Sequence, residues 1–208
     1  MFFIEDNNFL TDEHKQCIEA VQSPDGIPYF YQQSFSRMHY KPFTHTLLCH
    51  ILIHRPEHQA DGLREKNYYN SDYAKIFEDM LFTFCNNNQI ICTEVIRAAI
   101  NLTYNNGQEK CFPHVDHPEE YHKQLIIYLN DPPDKESHTV IMDKDTPLGK
   151  YGSDGIVFPD EDPHLDEEKH QLKRIVPEKY KGVCFENLPH YQVYPKFGDR
   201  IVCVFTFK

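Results

Sequence analysis

The segment from Cys111 to Asp131 places metal-capable side chains at the start of an apolar run. It reads CFPHVDHPEEYHKQLIIYLND, and its first such pair is His114 and Asp116. Residues two apart on a strand point to the same side. A His-x-Asp pair at a strand end therefore directs an imidazole and a carboxylate towards one point, as two ligands of a metal ion require.

A third ligand is predicted in the stretch GVCFENLPHYQVYPKFGDRIVCVFTFK. His190 follows a predicted strand and a Leu-Pro turn, and Arg200 enters the last predicted strand ten residues later. Two histidines and one carboxylate with open positions suit non-haem Fe(II) and oxygen chemistry. An arginine beside such an ion can clamp a carboxylate with two hydrogen bonds.

The apolar pattern predicts helices first and strands afterwards. Thr11 is a predicted N-cap, and an apolar stripe from Tyr73 to Phe84 predicts a helix capped by Ser71. Strands are predicted at 28–36 and 43–53 and then, after Gln89, at 90–104, 111–115, 123–130, 138–142, 154–158, 174–176, 181–186, 191–194 and 199–207. This order predicts an antiparallel β core with helices packed on one face. Residues 143–172 are a long excursion between strands, and such loops are usually functional or mobile.

The composition narrows the function classes. The chain has 208 residues, which suits one domain, and a formal net charge of −11 without a basic cluster, which argues against nucleic acid as a partner. Its seven cysteines, an odd number without a CxxC motif, predict reduced thiols in a cytoplasmic protein. The start MFFIEDNNFL lacks a basic region and no long apolar run follows, so neither a signal peptide nor a membrane span is expected.

The same motifs resemble the 2-oxoglutarate and Fe(II)-dependent dioxygenases, in particular their prolyl-hydroxylase-like branch. Members show H-x-D, a distant His and then a basic residue on a double-stranded β-helix (jelly-roll) core. This chain carries HVDHP, then IYLN, and Tyr104 in NLTYNNG ten residues before His114. The resemblance covers roughly residues 95–208. It implies a mainly β fold with supporting helices, in which N-terminal helices pack on one sheet of a jelly roll.

The resemblance implies a role for each matching residue. The iron ligands would be His114, Asp116 and His190. Arg200 would hold the distal carboxylate of 2-oxoglutarate, Tyr128 of IYLN would hydrogen-bond the same carboxylate, and Tyr104 would line the cosubstrate pocket. The implied cofactors are Fe(II), 2-oxoglutarate and O2, with ascorbate as a further reductant. The implied reaction is hydroxylation of a C–H bond in a protein side chain, a prolyl ring included, or in a small molecule.

Three other residues lie on the predicted strand that carries Tyr104. Arg97, Asn101 and Thr103 share a parity opposite to that of Tyr104. On a regular strand they leave the other face of the sheet. We therefore expect them to face away from the cosubstrate pocket.

The chain departs from the family pattern at three positions around this pocket. The Gly pair usual after YLN is missing, and ESHTVIMD stands there instead. The family pattern H-x-V-x-P appears as HYQVYP, with Val and Pro shifted by one. Many relatives carry a hydroxyl two residues past the arginine, where this chain has Val202. The metal motif itself is intact.

These expectations combine into one domain over residues 1–208, with a helix-containing support at 1–89 and the jelly-roll core at 90–208. Two alternatives remain open. The fold could be a non-catalytic binding module with a vestigial site, although the ligand set is intact. Two histidines and a carboxylate also suit a zinc hydrolase, in which Arg200 would have no clear task.

Overall fold

The computed structural model describes residues 2–23, 25–33, 46–54, 68–111, 113–116, 121–146, 150–152, 155–157 and 167–208. In chain order the elements of this part are β1 (Phe3–Asp6), α1 (Asp12–Gln22), β2 (Phe30–Gln33), β3 (Thr46–Ile53), α2 (Ala74–Asn87), β4 (Val95–Tyr104), β5 (Lys123–Tyr128), β6 (Thr139–Met142), β7 (Lys150–Gly152), β8 (Gly155–Val157), α3 (Glu167–His170), β9 (Gln171–Ile175), β10 (Gly182–Glu186), β11 (His190–Gln192) and β12 (Asp199–Phe207).

Seven strands form a major antiparallel sheet in the order β1-β10-β5-β12-β4-β3-β2. The long strand β12 lies at its centre, paired with β4 on one side and β5 on the other. The predicted helix-containing support, residues 1–89, also contributes β1, β2 and β3 to this sheet.

Three strands form a minor antiparallel sheet in the order β11-β6-β9. One apolar cluster joins the two sheets: Val183 and Val204 come from the major sheet, and Ile141 and Ile175 come from the minor sheet. Two antiparallel sheets that pack face to face in this way form a jelly roll. The predicted fold class is therefore confirmed, and we call the face of the major sheet that meets the minor sheet its inner face.

The helices cover the outer face of the major sheet. Ile18 of α1 and Phe77 of α2 share the larger apolar cluster with Ile100 of β4 and Phe205 of β12. The side chains of β12 thus alternate, because Val202 and Val204 belong to the inner cluster and Cys203 and Phe205 to the outer one. The predicted packing of helices on one face is confirmed.

The two predicted helix starts have different outcomes. The side chain of Thr11 accepts a hydrogen bond from the backbone N–H of His14, and the His14 ring accepts one from the backbone N–H of Thr11, so the predicted N-cap is confirmed. The predicted cap of α2 is wrong by two residues, because the helix begins after Tyr73. The Ser71 hydroxyl instead accepts from the backbone N–H of Tyr73 and contacts the ring of His50.

A glycine lets α2 approach the sheet closely. A Cβ at Gly182, the first residue of β10, would lie 2.7 Å from the Phe84 ring and 2.8 Å from the Phe9 ring. Those two rings pack edge to face with their centroids 5.0 Å apart. Only a residue without a side chain fits between this strand and the two rings.

Two of the other predicted segments differ from the structure. Of residues 111–115, the structure describes 111 and 113–115; none of these four belongs to a strand, and His114 forms a single bridge with His190. The excursion 143–172 contains the hairpin β7–β8 and the short helix α3, while residues 147–149, 153–154 and 158–166 of the predicted excursion lie outside the described residues.

Two further features concern the cysteines and the helices. All seven cysteines are free. Among the described residues, no helix has the length and the apolar character needed to cross a membrane.

Candidate metal centre and carboxylate site

The two predicted histidine ligands are held together by backbone pairing. The His114 N–H donates to the His190 carbonyl at 3.0 Å, and the His190 N–H donates to the His114 carbonyl at 2.9 Å. This bridge places the two imidazole ring centroids 4.7 Å apart. Because His190 is the first residue of β11, the minor sheet fixes the position of both rings.

The carboxylate of Asp116 completes the group. Its Oδ1 atom lies 3.8 Å from Nε2 of His114. One ligand atom from each of His114, Asp116 and His190 lies within 4.8 Å of the others. Ligand atoms bound to one ion at about 2.1 Å lie about 3–4 Å apart, so a small inward movement of the side chains would let all three bind the same metal ion. The structure therefore brings the three predicted ligands together.

His190 is held in the protonation state that binds metals. Its Nδ1–H donates to the Leu188 carbonyl at 3.0 Å, which leaves the Nε2 lone pair available. Burial, and then the nearby His114 ring, lower the pKa of His190 to about 4. The ring of Phe185 also packs against it edge to face, at 5.2 Å between centroids. His190 is therefore neutral at neutral pH.

Arg97 lies beside the predicted metal ligands, contrary to the sequence-based expectation. Its Nη1 atom is 3.9 Å from Oδ1 of Asp116, and the two side chains are only 16% and 12% exposed. Thr103, of the same parity, pairs directly with Arg200 of β12. The expectation that Arg97, Asn101 and Thr103 face away from the site is wrong, because odd-numbered residues of this part of β4 line the inner face.

Arg200 is buried near the same end of the jelly roll, with 2% of its surface exposed. Its Nη1 donates to Oε1 of Gln192 at 2.6 Å, and its Nη2 donates to Oγ1 of Thr139 at 2.6 Å. The ring centroid of Tyr128 lies 5.3 Å from the guanidinium carbon, within cation–π range. We call Arg200, Thr139, Gln192 and Tyr128 the Arg200 network.

The two tyrosines predicted at the site lie in different places. The hydroxyl of Tyr128 is 2.6 Å from Oγ1 of Thr139, so this residue belongs to the Arg200 network. Tyr104 pairs with Asp199, one register position away from the Thr103–Arg200 pair, so its side chain leaves the outer face. Among the described residues, the structure brings Tyr128 to Arg200 but does not bring Tyr104 there.

The Arg200 network fits an anionic ligand. Both side-chain partners that the described residues offer to Arg200 are uncharged. Its Nε atom is buried and has no hydrogen-bond partner among the described residues. A buried cation without a counter-ion is costly, and a ligand carboxylate would satisfy both its charge and its unused donor. The donor set of His114, Asp116 and His190 likewise fits a divalent transition metal.

Sequence reasoning missed three polar side chains of this region: Arg97, Thr139 and Gln192. Two of them lie at the departures from the family pattern. Thr139 belongs to the segment that replaces the Gly pair, and Gln192 stands where the pattern has Val. Those departures were therefore the available signal, since each brings a polar side chain to Arg200.

Comparison with known proteins gives structural relatives alone. No family model matches the sequence, and no curated protein matches it. Among solved structures, a 2OG-Fe(II) oxygenase family oxidoreductase from Burkholderia pseudomallei aligns with a TM-score of 0.65 and 11% identity, over 99% of this chain and 84% of that one.

Two prolyl hydroxylases align in the same way. The prolyl-4-hydroxylase of Pseudomonas putida has a TM-score of 0.53 and 11% identity, over 99% of this chain and 92% of its own. The Trichoplax adhaerens prolyl hydroxylase, solved with a hypoxia inducible factor peptide fragment, has a TM-score of 0.54 and 14% identity, over 99% and 82%. The chain therefore has the fold of the 2-oxoglutarate and Fe(II)-dependent oxygenases along nearly its whole length.

Proposed function

We propose that this protein is a 2-oxoglutarate- and Fe(II)-dependent dioxygenase that hydroxylates a C–H bond in a protein side chain or a small molecule. One observation carries the proposal: a His-Asp-His group lies in the same jelly roll as a buried arginine whose side-chain partners are uncharged. The first feature suits Fe(II), and the second suits the free carboxylate of a dicarboxylic cosubstrate. A prolyl side chain is one candidate substrate.

The bound metal and cosubstrate would supply the oxidising chemistry, in which 2-oxoglutarate, O2 and R–H give succinate, CO2 and R–OH. The chain would contribute the imidazoles of His114 and His190 and the carboxylate of Asp116 as ligands. A metal ion held by these three side chains would have further positions open to cosubstrate and O2. The His114 side chain is 39% exposed, so the group can be reached from solvent on that side.

The other residues hold the cosubstrate and exclude water. Arg200 binds the distal carboxylate of 2-oxoglutarate, and the inner cluster around Val202 and Val204 gives that carboxylate an apolar surrounding. The attraction between opposite charges is stronger in such a surrounding than in water. Tyr128, fully buried, keeps its ring against the guanidinium and its hydroxyl on Thr139. The negative net charge of the protein favours neutral or basic substrates over nucleic acids.

Fe(II)-dependent formation of succinate from 2-oxoglutarate tests this function. We expect the wild-type protein to form succinate under air with Fe(II) and ascorbate, and the Asp116→Ala variant to form none. Asp145→Ala is the matched control, because Asp145 is exposed and lies outside the metal group. A protein that purifies with zinc and forms no succinate when loaded with Fe(II) would favour a hydrolase. Binding of 2-oxoglutarate without turnover would favour a binding module.

A further inference from the structure

Two residues with no role in the family resemblance hold the guanidinium of Arg200. Thr139 reaches it from β6 and Gln192 from β11, both in the minor sheet, while Arg200 belongs to the major sheet. Both contacts are 2.6 Å long, and both acceptors are uncharged. The two side chains therefore fix the direction of the guanidinium without neutralising its charge, whereas a carboxylate at either position would form an internal ion pair.

The hydroxyl groups of Thr139 and Tyr128 leave one hydrogen for a ligand. Oγ1 of Thr139 accepts from Arg200, and it is 2.6 Å from the Tyr128 hydroxyl. If Tyr128 donates in that contact, the hydrogen of Thr139 is unused; if Thr139 donates, the hydrogen of Tyr128 is unused. Together with the unpartnered Nε–H of Arg200, the network thus offers two donors to an incoming anion. A carboxylate, with two acceptor oxygens, matches them.

Gln192 is held on several sides, which fixes the orientation of its amide. Its Oε1 accepts from Arg200, and its side chain also hydrogen-bonds Tyr194, where it acts to lower a tyrosine pKa that burial raises. Its backbone N–H donates to Sγ of Cys111 at 3.2 Å, and its carbonyl accepts from the Cys111 N–H at 3.0 Å. Because these hydrogen bonds fix the Gln192 amide, it keeps Arg200 in one position before any ligand binds.

We propose that Thr139 and Gln192 are positioning residues that make Arg200 selective for the distal carboxylate of a 2-oxo dicarboxylate. Thr139 acts through Arg200 and Tyr128, and its hydroxyl also donates to the ligand when Tyr128 donates to it. Gln192 acts through Arg200 alone. The inference deepens the proposed function and rests on it. It also explains how the pocket keeps a hydroxyl although Val202 carries none, because Thr139 of the facing sheet supplies it.

A comparison of two ligands on the Ni(II)-substituted full chain tests this inference. The ligands are 2-oxoglutarate and 2-oxopentanoate, which has a methyl group in place of the distal carboxylate. Isothermal titration calorimetry gives Kd for each, and the ratio of the two Kd values measures recognition of the distal carboxylate. A variant that only loosens the fold changes both Kd values together and leaves the ratio unaltered.

Four variants define the expected pattern. Thr139→Val raises the Kd of 2-oxoglutarate by about tenfold or more, the loss expected for a hydrogen bond to a charged group, with 2-oxopentanoate unchanged. Thr139→Ser restores the wild-type ratio. Gln192→Glu places a carboxylate on Arg200 and raises the Kd of 2-oxoglutarate by about a hundredfold, again with 2-oxopentanoate unchanged. Thr146→Val is the matched control, because the Thr146 hydroxyl contacts Asp143 and not Arg200.

The outcomes separate this inference from the function on which it rests. If the wild-type Ni(II) protein binds neither ligand, the proposed function itself fails. If the wild type prefers 2-oxoglutarate but Thr139→Val and Gln192→Glu keep the wild-type ratio, the function stands and the inference is overturned. Should Thr139→Val no longer bind Ni(II), Thr139→Ala removes the same hydroxyl with a smaller side chain and takes its place.

Discussion

Gly182 gives a quantitative test of the contact between α2 and the major sheet. In Gly182→Ala the new Cβ would lie 2.7 Å from Cε2 of Phe84 and 2.8 Å from Cε1 of Phe9. Ordinary carbon–carbon contacts are about 3.5–4.0 Å, so each overlap is close to 1 Å. The two rings are 0% and 2% exposed, so neither can swing into solvent.

The change in the free energy of unfolding expected for Gly182→Ala is the sum of two opposing contributions. Overpacking a core of this kind costs about 1–3 kcal/mol. Replacing a strand glycine by alanine recovers about 0.5–1 kcal/mol of backbone entropy. The net loss is about 1–2 kcal/mol, or about 2–8 °C in Tm for a chain of this length. Chemical denaturation and thermal unfolding of the metal-free protein measure it.

A double-mutant cycle with Phe84→Leu locates the effect. Leucine lacks the ring atoms that the new Cβ would overlap, so Gly182→Ala should cost about 1 kcal/mol less in the Phe84→Leu background than in the wild type. If Gly182→Ala leaves stability unchanged, or if the two losses simply add, α2 does not pack on β10 as described.

Three further perturbations have defined outcomes. Burial and His114 hold the pKa of His190 in the folded protein at about 4, below the unfolded value of about 6.5. The free energy of unfolding therefore falls by about 3 kcal/mol as the pH drops from about 6.5 to 4. In urea unfolding, the His190→Asn variant should lose less stability over this pH range than the wild type. Thr11→Ala removes the N-cap of α1 and lowers the free energy of unfolding by about 1 kcal/mol, while Thr11→Ser retains it. Arg200→Met raises the Kd of 2-oxoglutarate by about thirtyfold or more in calorimetry and leaves Ni(II) binding intact.

Each of these perturbations also has a contradicting outcome. Equal pH dependence in the wild type and His190→Asn would mean that His190 is not buried in the neutral form. If the Thr11→Ala variant is as stable as the wild type, the Thr11 cap does not stabilise α1. Unchanged cosubstrate affinity in Arg200→Met would place the distal carboxylate elsewhere.

The candidate metal group could be predicted from sequence because its pattern is local. His114 and Asp116 lie two residues apart, and His190 and Arg200 flank the last turn before an apolar strand. Helix α2 could be predicted for the same reason, since its buried residues recur at helical spacing. In each case a short stretch of chain carries the signal without knowledge of its partners.

The sequence pattern could not predict which side chains of β4 point to the inner face of the sheet. Ala98, Ala99 and Ile100 are all fully buried, so both faces of the strand are covered, and the alternation of its polar residues does not tell which face meets the pocket. Its inner face is fixed by the pairing of Thr103 with Arg200, two residues 97 positions apart. Because the resemblance put Tyr104 in the pocket, parity put Arg97 on the wrong face.

The Arg200 network was also beyond the reach of sequence patterns. Thr139 and Gln192 belong to strands of four and three residues, too short to show a period. Their contacts to Arg200 cross from one sheet to the other, and such contacts depend on the packing of the whole jelly roll. Only the departures from the family pattern marked these two positions.

An anaerobic titration of the Fe(II)-loaded protein with 2-oxoglutarate tests the central claim most directly. We predict a visible charge-transfer band that saturates at one equivalent of cosubstrate per chain and does not form in Asp116→Ala. If no band forms when the wild-type protein is mixed with Fe(II) and excess 2-oxoglutarate, the His-Asp-His group and Arg200 do not make a single site for iron and cosubstrate.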